Sequence, residues 1–141
     1  RGDGQAATIN QQIAERLRAD GLLTLFAEGT TTDGSDVRPF FSRLFAAAIE
    51  TDTAVVPVSL RYHIDGAYDP VAPYTGDQSL ADNLRGLIGR SRTQVHVHFA
   101  DPIPIAGQSR REIAKLAHDA VRNGLLAPPP LTGIQPAPTA S

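Results

Sequence analysis

Leu22-Leu23-Thr24-Leu25-Phe26-Ala27-Glu28-Gly29-Thr30-Thr31-Thr32-Asp33-Gly34 passes from an apolar run into a polar loop within a few residues. Leu22 to Phe26 has no helical stripe and predicts a short strand. Glu28 to Asp36, polar and glycine-containing, predicts the loop that leaves it. In an open α/β sheet, ligands bind just beyond the carboxyl ends of strands. Successive N–H groups near Gly29 can form a nest for an anion, the threonine hydroxyls can donate to phosphate oxygens, and Glu28 can accept from a ligand hydroxyl. A polyol phosphate suits such a loop, although the same residues also describe an ordinary surface turn.

Outward from this stretch, helices alternate with strands. Ile9, Ile13 and Leu17 recur at helical spacing before Asp20-Gly21, which predicts an amphipathic helix over 6–19. Residues 40–49, rich in Ala and Phe and entered through Pro39, predict a buried helix. The β-branched run 54–60 predicts a second strand, with Pro57 marking an edge or a bulge. Residues 63–77 lack apolar periodicity and read as irregular. Ser79-x-x-Asp82 opens a helix that turns Leu84, Leu87 and Ile88 inward and ends near Gly89. Val95-x-Val97-x-Phe99 alternates as a strand. Ser109-x-x-Glu112 is a capping box for a helix with Ile113, Leu116, Ala117, Ala120 and Val121 on one face. The result is an α/β domain, a mixed sheet flanked by helices. It spans 1–126 and is followed by a tail, 127–141, whose five prolines predict disorder. Three strands make a thin sheet, better completed by strands from outside the chain.

Composition narrows the function. The 141 residues suffice for one domain, 41% are hydrophobic and 20% charged, and the net charge is -2. Lys115 is the one lysine, and the arginines are scattered, so no basic stripe exists to neutralise a nucleic-acid backbone. No apolar run approaches the roughly 20 residues that span a bilayer, so the piece itself is expected to be soluble. Cysteine is absent, which removes disulfides, thiolate metal sites and a cysteine nucleophile. Arg1-Gly2-Asp3-Gly4, without an initiator Met or an apolar leader, reads as starting within a longer chain.

The segment Phe26 to Thr32 resembles the Phe-Pro-Glu-Gly-Thr-Arg-Ser motif of the 1-acylglycerol-3-phosphate acyltransferase family, and its Glu-Gly-Thr-Thr variant looks like the lysophospholipid and lyso-ornithine lipid acyltransferase branches. Arg38-Pro39-Phe40-Phe41-Ser42-Arg43-Leu44-Phe45 is similar to the family's Pro-Phe segment, and Val55-Val56-Pro57-Val58-Ser59-Leu60 to its proline-containing strand. Gly76 to Leu80 and Val95 to Pro102 are similar to its closing section. The resemblance covers residues 1–126 and implies that Glu28, Gly29, Thr30 and Thr31 bind the acceptor, with Arg1 as the last trace of an upstream arginine motif that helps bind phosphate. Ala27 stands where the family has Pro, Phe41 where it often has a basic residue, and Thr31 where it has an Arg. Losing a guanidinium removes a bidentate contact to phosphate, which favours a shielded or zwitterionic head over lysophosphatidate.

Family chemistry requires an Asn-His-x-x-x-x-Asp motif, in which His takes the proton of the acceptor hydroxyl and Asp orients it. The motif precedes the Glu-Gly-Thr loop in the family. None of the 27 residues before Glu28 is His, so the resemblance places the catalytic dyad upstream and leaves no catalytic residue here. His96-Val97-His98-Phe99-Ala100-Asp101 fits His-x-x-x-x-Asp, but positions five apart on a strand lie roughly 16 Å apart on opposite faces. His96 and His98 share a strand face at a spacing seen in zinc sites, with His63 as a third candidate. Strand alternation explains them without metal. His118 reads as a surface residue, and Ser35, Ser59 and Ser79 lack the Gly-x-Ser-x-Gly elbow of a serine hydrolase.

The resemblance thus implies a glycerolipid acyltransferase that uses acyl-CoA or acyl carrier protein as co-substrate, needs no cofactor, and acylates a lysophospholipid, lysophosphatidate or lyso-ornithine lipid. This chain is expected to hold the acceptor and to be inactive alone. The full-length protein is expected at the cytoplasmic face of the membrane, attached through an N-terminal segment. The alternative is a non-catalytic lipid- or phosphate-binding or interaction module on the same scaffold. A histidine-based metal module would predict stoichiometric zinc.

Overall fold

The computed structural model describes residues 3–19, 21–64, 67–69, 88 and 94–127. In chain order they form α1 (Asp3–Arg18), a 3-10 turn (Ser42–Phe45) that runs into α2 (Ala46–Glu50), β1 (Val58–Ile64), β2 (Ala67–Tyr68), β3 (Gln94–Phe99) and α3 (Arg110–Leu126). The α/β class is as expected, and the described strands pair antiparallel in the order β2-β1-β3.

Local signals hold best at α3. The Ser109 hydroxyl accepts from the Glu112 N–H at 3.3 Å, and the Glu112 carboxylate accepts from the Ser109 N–H at 2.7 Å, so two donors that the first turn cannot satisfy internally are capped. Ile113 is fully buried and Ala114 and Ala117 nearly so, whereas Leu116, expected inward, is 45% exposed. Ile113, Ala114 and Ala117 pack with Ala27, Phe45, Ala48, Ile103 and Ile105 into the main core, with Phe40, Leu44 and Val55 against it. In α1, Ile13 and Ala14 pack on Ala47 with Leu17 beside them, and Arg18 pairs with Glu50 at the end of α2. Ile9 of the expected stripe is half exposed.

Three expectations change. Leu22 to Phe26 is not a strand: it has no ladder partner among the described residues, and Leu22 is 93% and Phe26 75% exposed. Apolar composition favours a strand only when a neighbour receives its N–H and C=O groups. The expected helix 40–49 begins at Ser42 as a 3-10 turn and becomes α-helical at Ala46. The second strand starts late, at Val58, and continues to Ile64 into the segment read as irregular. Pro57 is the cause of the late start. It has no N–H for a ladder, so it separates β1 from the isolated Val55–Ile103 bridge while its own carbonyl accepts from Ala100 at 2.9 Å. β1 is the middle one of the described strands, and Pro57 lies just before it, where the register slips by one residue between Val58–Phe99 and Val55–Ile103, so the proline marks a bulge and not an edge.

The faces of the sheet differ in character. On β1, Ser59 and His63 are buried and Arg61 half-buried, whereas Val58 and Leu60 are exposed. On β3, Val95, Val97 and Phe99 face solvent, and the alternating Gln94, His96 and His98 are half-buried. The polar face is turned inward because α3 packs on it. A Cβ on Gly124 would come within 2.5 Å of His98 Cδ2 and 2.7 Å of Ser59 Oγ, so the helix approaches this closely only through a glycine. The helix expected at 79–89 lies outside the described residues except for Ile88, which is exposed. Arg1, Gly76 to Leu80 and residues 128–141 also lie outside them.

Candidate functional site

The loop that follows Phe26 is closed at its neck and pinned at its tip. At the neck, the Phe41 N–H donates to the Ala27 carbonyl at 2.9 Å, and the Arg38 N–H donates to Glu28 Oε2 at 2.8 Å. Glu28 thus fastens the two ends of its own loop, a role that composition alone did not reveal. Gly29 lies at φ 68°, in the left-handed region, and a Cβ there would meet Phe41 Cε2 at 2.5 Å. Phe41, at the position that is often basic in the resembling family, occupies the space that Gly29 leaves, with Arg43 5.2 Å above its ring. Thr30 and Thr31 are exposed beside this neck.

Toward the tip, polar side chains fold the backbone on itself. Asp33 Oδ1 accepts from the Ser35 N–H at 3.0 Å and from its hydroxyl at 2.7 Å, and Thr32 Oγ1 accepts from the Gly34 N–H at 3.3 Å. Those two Ser35 donors, the backbone one foremost, hold the Asp33 carboxyl below its ordinary value. Asp36 is lowered likewise, first by the Val37 N–H at 2.8 Å and then by Arg122, whose Nε donates at 2.9 Å.

Three side chains from two elements hold the loop from outside. The Tyr68 hydroxyl of β2 donates to the Asp33 carbonyl. From α3, Arg122 reaches Asp36, and His118 Nε2 donates to the Val37 carbonyl at 3.1 Å. The His118 ring stands edge-on to Phe40 at 5.5 Å and is largely buried. His118 is therefore a buttress of the loop and not the surface residue expected. The contact joins positions 81 apart, beyond any local pattern. An open groove of about 340 Å³ is lined by Pro39, Phe40 and Ser42 and by Arg111, Ala114, Lys115 and His118 of α3.

Beside the tip sits a second residue that sequence reading passed over. Arg61 lies on the inward face of β1, opposite His96 in register, with its guanidinium carbon 5.8 Å from the centre of the Tyr68 ring. Its Nε is buried and finds no acceptor among the described residues. Burial raises the Tyr68 pKa, as does the Asp33 charge to a smaller extent, and Arg61 opposes them. The available signal was the alternation Ser59, Arg61, His63 on one strand face.

The His96-x-x-x-x-Asp101 stretch forms no dyad. His96 lies within β3 and Asp101 beyond its end, with no hydrogen bond between them. His63 faces Gln94, two rungs from the Arg61–His96 pair. Among the described residues, no three His, Cys, Asp or Glu gather as a metal would require, and no helix is long and apolar enough to cross a membrane.

Residues 1–61, which include the whole loop, match the family model described as Acyltransferase. The chain is 43% identical over 125 residues to a lyso-ornithine lipid O-acyltransferase of Pseudomonas aeruginosa, covering 89% of this chain and 48% of that protein. The chain belongs to the acyltransferase family. A lyso-ornithine lipid O-acyltransferase of Brucella abortus is 32% identical over 133 residues, covering 84% of this chain and 50% of that protein. One from Rhodobacter capsulatus is 31% identical over 133 residues, with 89% and 48% covered. The chain spans about half the length of these curated relatives. No solved structure matches it.

Proposed function

We propose that the chain is the acceptor-binding part of a glycerolipid acyltransferase, which moves a fatty acyl group from acyl-CoA or acyl carrier protein to the hydroxyl of a lysolipid, with a lyso-ornithine lipid as the favoured acceptor. The observation that carries this reading is the match of nearly the whole chain, loop included, to relatives bearing that name. Glu28, Gly29, Thr30 and Thr31 offer the head group a bent backbone with exposed hydroxyls and a carboxylate, and Arg1 joins them in the intact site. Thr31, a neutral donor where a lysophosphatidate enzyme would carry a guanidinium, suits a zwitterionic head.

The His and Asp that deprotonate the acceptor hydroxyl come from sequence outside this chain, which alone is inactive. No cofactor takes part beyond the acyl donor. The exposed apolar sheet face, and Leu22 to Phe26 without a ladder partner among the described residues, support 1–126 as part of a larger acyltransferase domain, with 127–141 as its tail. An N-terminal segment meets the cytoplasmic face of the membrane, and nucleic acid is not a partner.

The test is Glu28→Ala in the full-length protein, followed by lysolipid acylation with lyso-ornithine lipid and lysophosphatidate as acceptors. Loss of activity, with the wild type preferring the ornithine lipid, is expected. Undiminished activity removes Glu28 from the site, and a wild type that acylates no lysolipid leaves the non-catalytic binding module as the reading.

A further inference from the structure

Arg61 carries a buried donor, Nε, that meets no acceptor among the described residues. Its strand is the middle one of the three, its neighbours Ser59 and His63 are buried, and its Nε is shut away from water without an acceptor among the described residues. A buried guanidinium N–H left unmatched costs more than one never placed there, so such a group is found where a partner is sometimes supplied. The Tyr68 ring holds the guanidinium by cation–π attraction. That ring's hydroxyl ends on the Asp33 carbonyl, so Arg61 lies next to the tip of the loop whose neck carries Glu28 to Thr31. Gly29 and Gly34 are five residues apart, which limits their separation to about 17 Å even if the chain were fully stretched. A polar lipid head can span such a gap.

Resting on the acyltransferase reading, we propose that Arg61 recognises the oxyanion of the acceptor's head group and is a specificity-determining residue of this site. A guanidinium matches a carboxylate or a phosphate through paired N–H donors. An ornithine head carries a carboxylate and a lysophospholipid a phosphate, so either source offers an acceptor for the Arg61 Nε–H. The cation absent at Thr31 is then supplied from β1, at the other end of the loop. Tyr68 acts as a positioning residue, keeping the guanidinium and the loop tip together.

The experiment uses the full-length protein as wild type, Arg61→Gln and Arg61→Lys, with lyso-ornithine lipid, its carboxyl methyl ester and a lysophospholipid as acceptors. Recognition of the oxyanion predicts that Arg61→Gln raises KM for the free carboxylate about tenfold or more with kcat held within a few-fold. The methyl ester should already bind poorly to the wild type and be indifferent to the substitution. Arg61→Lys, which keeps a point charge but loses the planar fork, should fall between and guards against a variant that fails to fold. A parallel KM effect on the lysophospholipid assigns the phosphate as a second source, and its absence restricts Arg61 to the carboxylate. Equal losses on the acid and the ester, or no change on either, overturn the proposal and leave Arg61 as a clamp for Tyr68. If the wild type acylates none of the three, the acyltransferase reading falls first and takes this one with it.

Discussion

Gly29 sits in the left-handed backbone region with the Phe41 ring where a Cβ would be. Gly29→Ala therefore incurs both backbone strain and a clash. Together these should cost about 1–3 kcal/mol in urea unfolding of the chain. Pairing it with Phe41→Ala should return the steric share but not the backbone share, so the two substitutions should be non-additive. Strict additivity would show that the ring does not occupy that space. Gly29 was legible in the sequence, because a glycine between a carboxylate and hydroxyls at a loop's start announces unusual backbone. Arg61 was not. A lone arginine among strand residues reads as a solvated side chain until the fold shows which face is covered.

At the scale of elements, the loop over 27–41 keeps its shape through side chains that arrive from β2 and α3. Asp36 links the two ends of that support, taking the Val37 N–H within the loop and Arg122 across it, with His118 nearby. Its folded-state pKa lies below the ordinary value of 3.8, as does that of Asp33. For a depressed carboxylate, the stabilisation is present above the unfolded value and disappears as pH falls through the folded one. In an NMR titration, the Ser35 and Val37 amide shifts should thus move with midpoints under 3.8, and Asp36→Asn should abolish the step at Val37 alone. Midpoints at or above 3.8 would mean that the pinning is not formed in solution. The capping box at Ser109 could be read directly, since all its partners lie within one turn. Leu22 to Phe26 misled for the opposite reason, since its ladder depends on a neighbour that no local pattern supplies. The pairing of β1 with β2 had a signal in Asp65-Gly66, a favoured hairpin dipeptide between two β-prone runs, that the irregular reading of 63–77 overlooked.

Across the whole molecule, the sheet wears its apolar side outward. Val58 faces Phe99, Leu60 faces Val97 and Tyr62 faces Val95 across the β1–β3 ladder, so the exposed hydrocarbon is one contiguous patch rather than scattered residues. The chain should consequently enhance the fluorescence of an anilinonaphthalene dye at neutral pH, and Val97→Thr with Phe99→Thr should remove most of that signal without lowering the unfolding midpoint. Dye indifference in the unsubstituted chain would show that the patch is covered.

The anchoring of the loop also bears on the order in which the molecule comes together. Its outside contacts join residues 35, 81 and 86 positions apart, and contacts of such separation form late, after shorter closures have shortened the effective chain. The head-group loop would then be the last part to take shape, set only when α3 has docked. A chain lacking α3 would retain Glu28, Gly29, Thr30 and Thr31 in sequence while losing the Arg122 and His118 contacts that hold the loop at Asp36 and Val37.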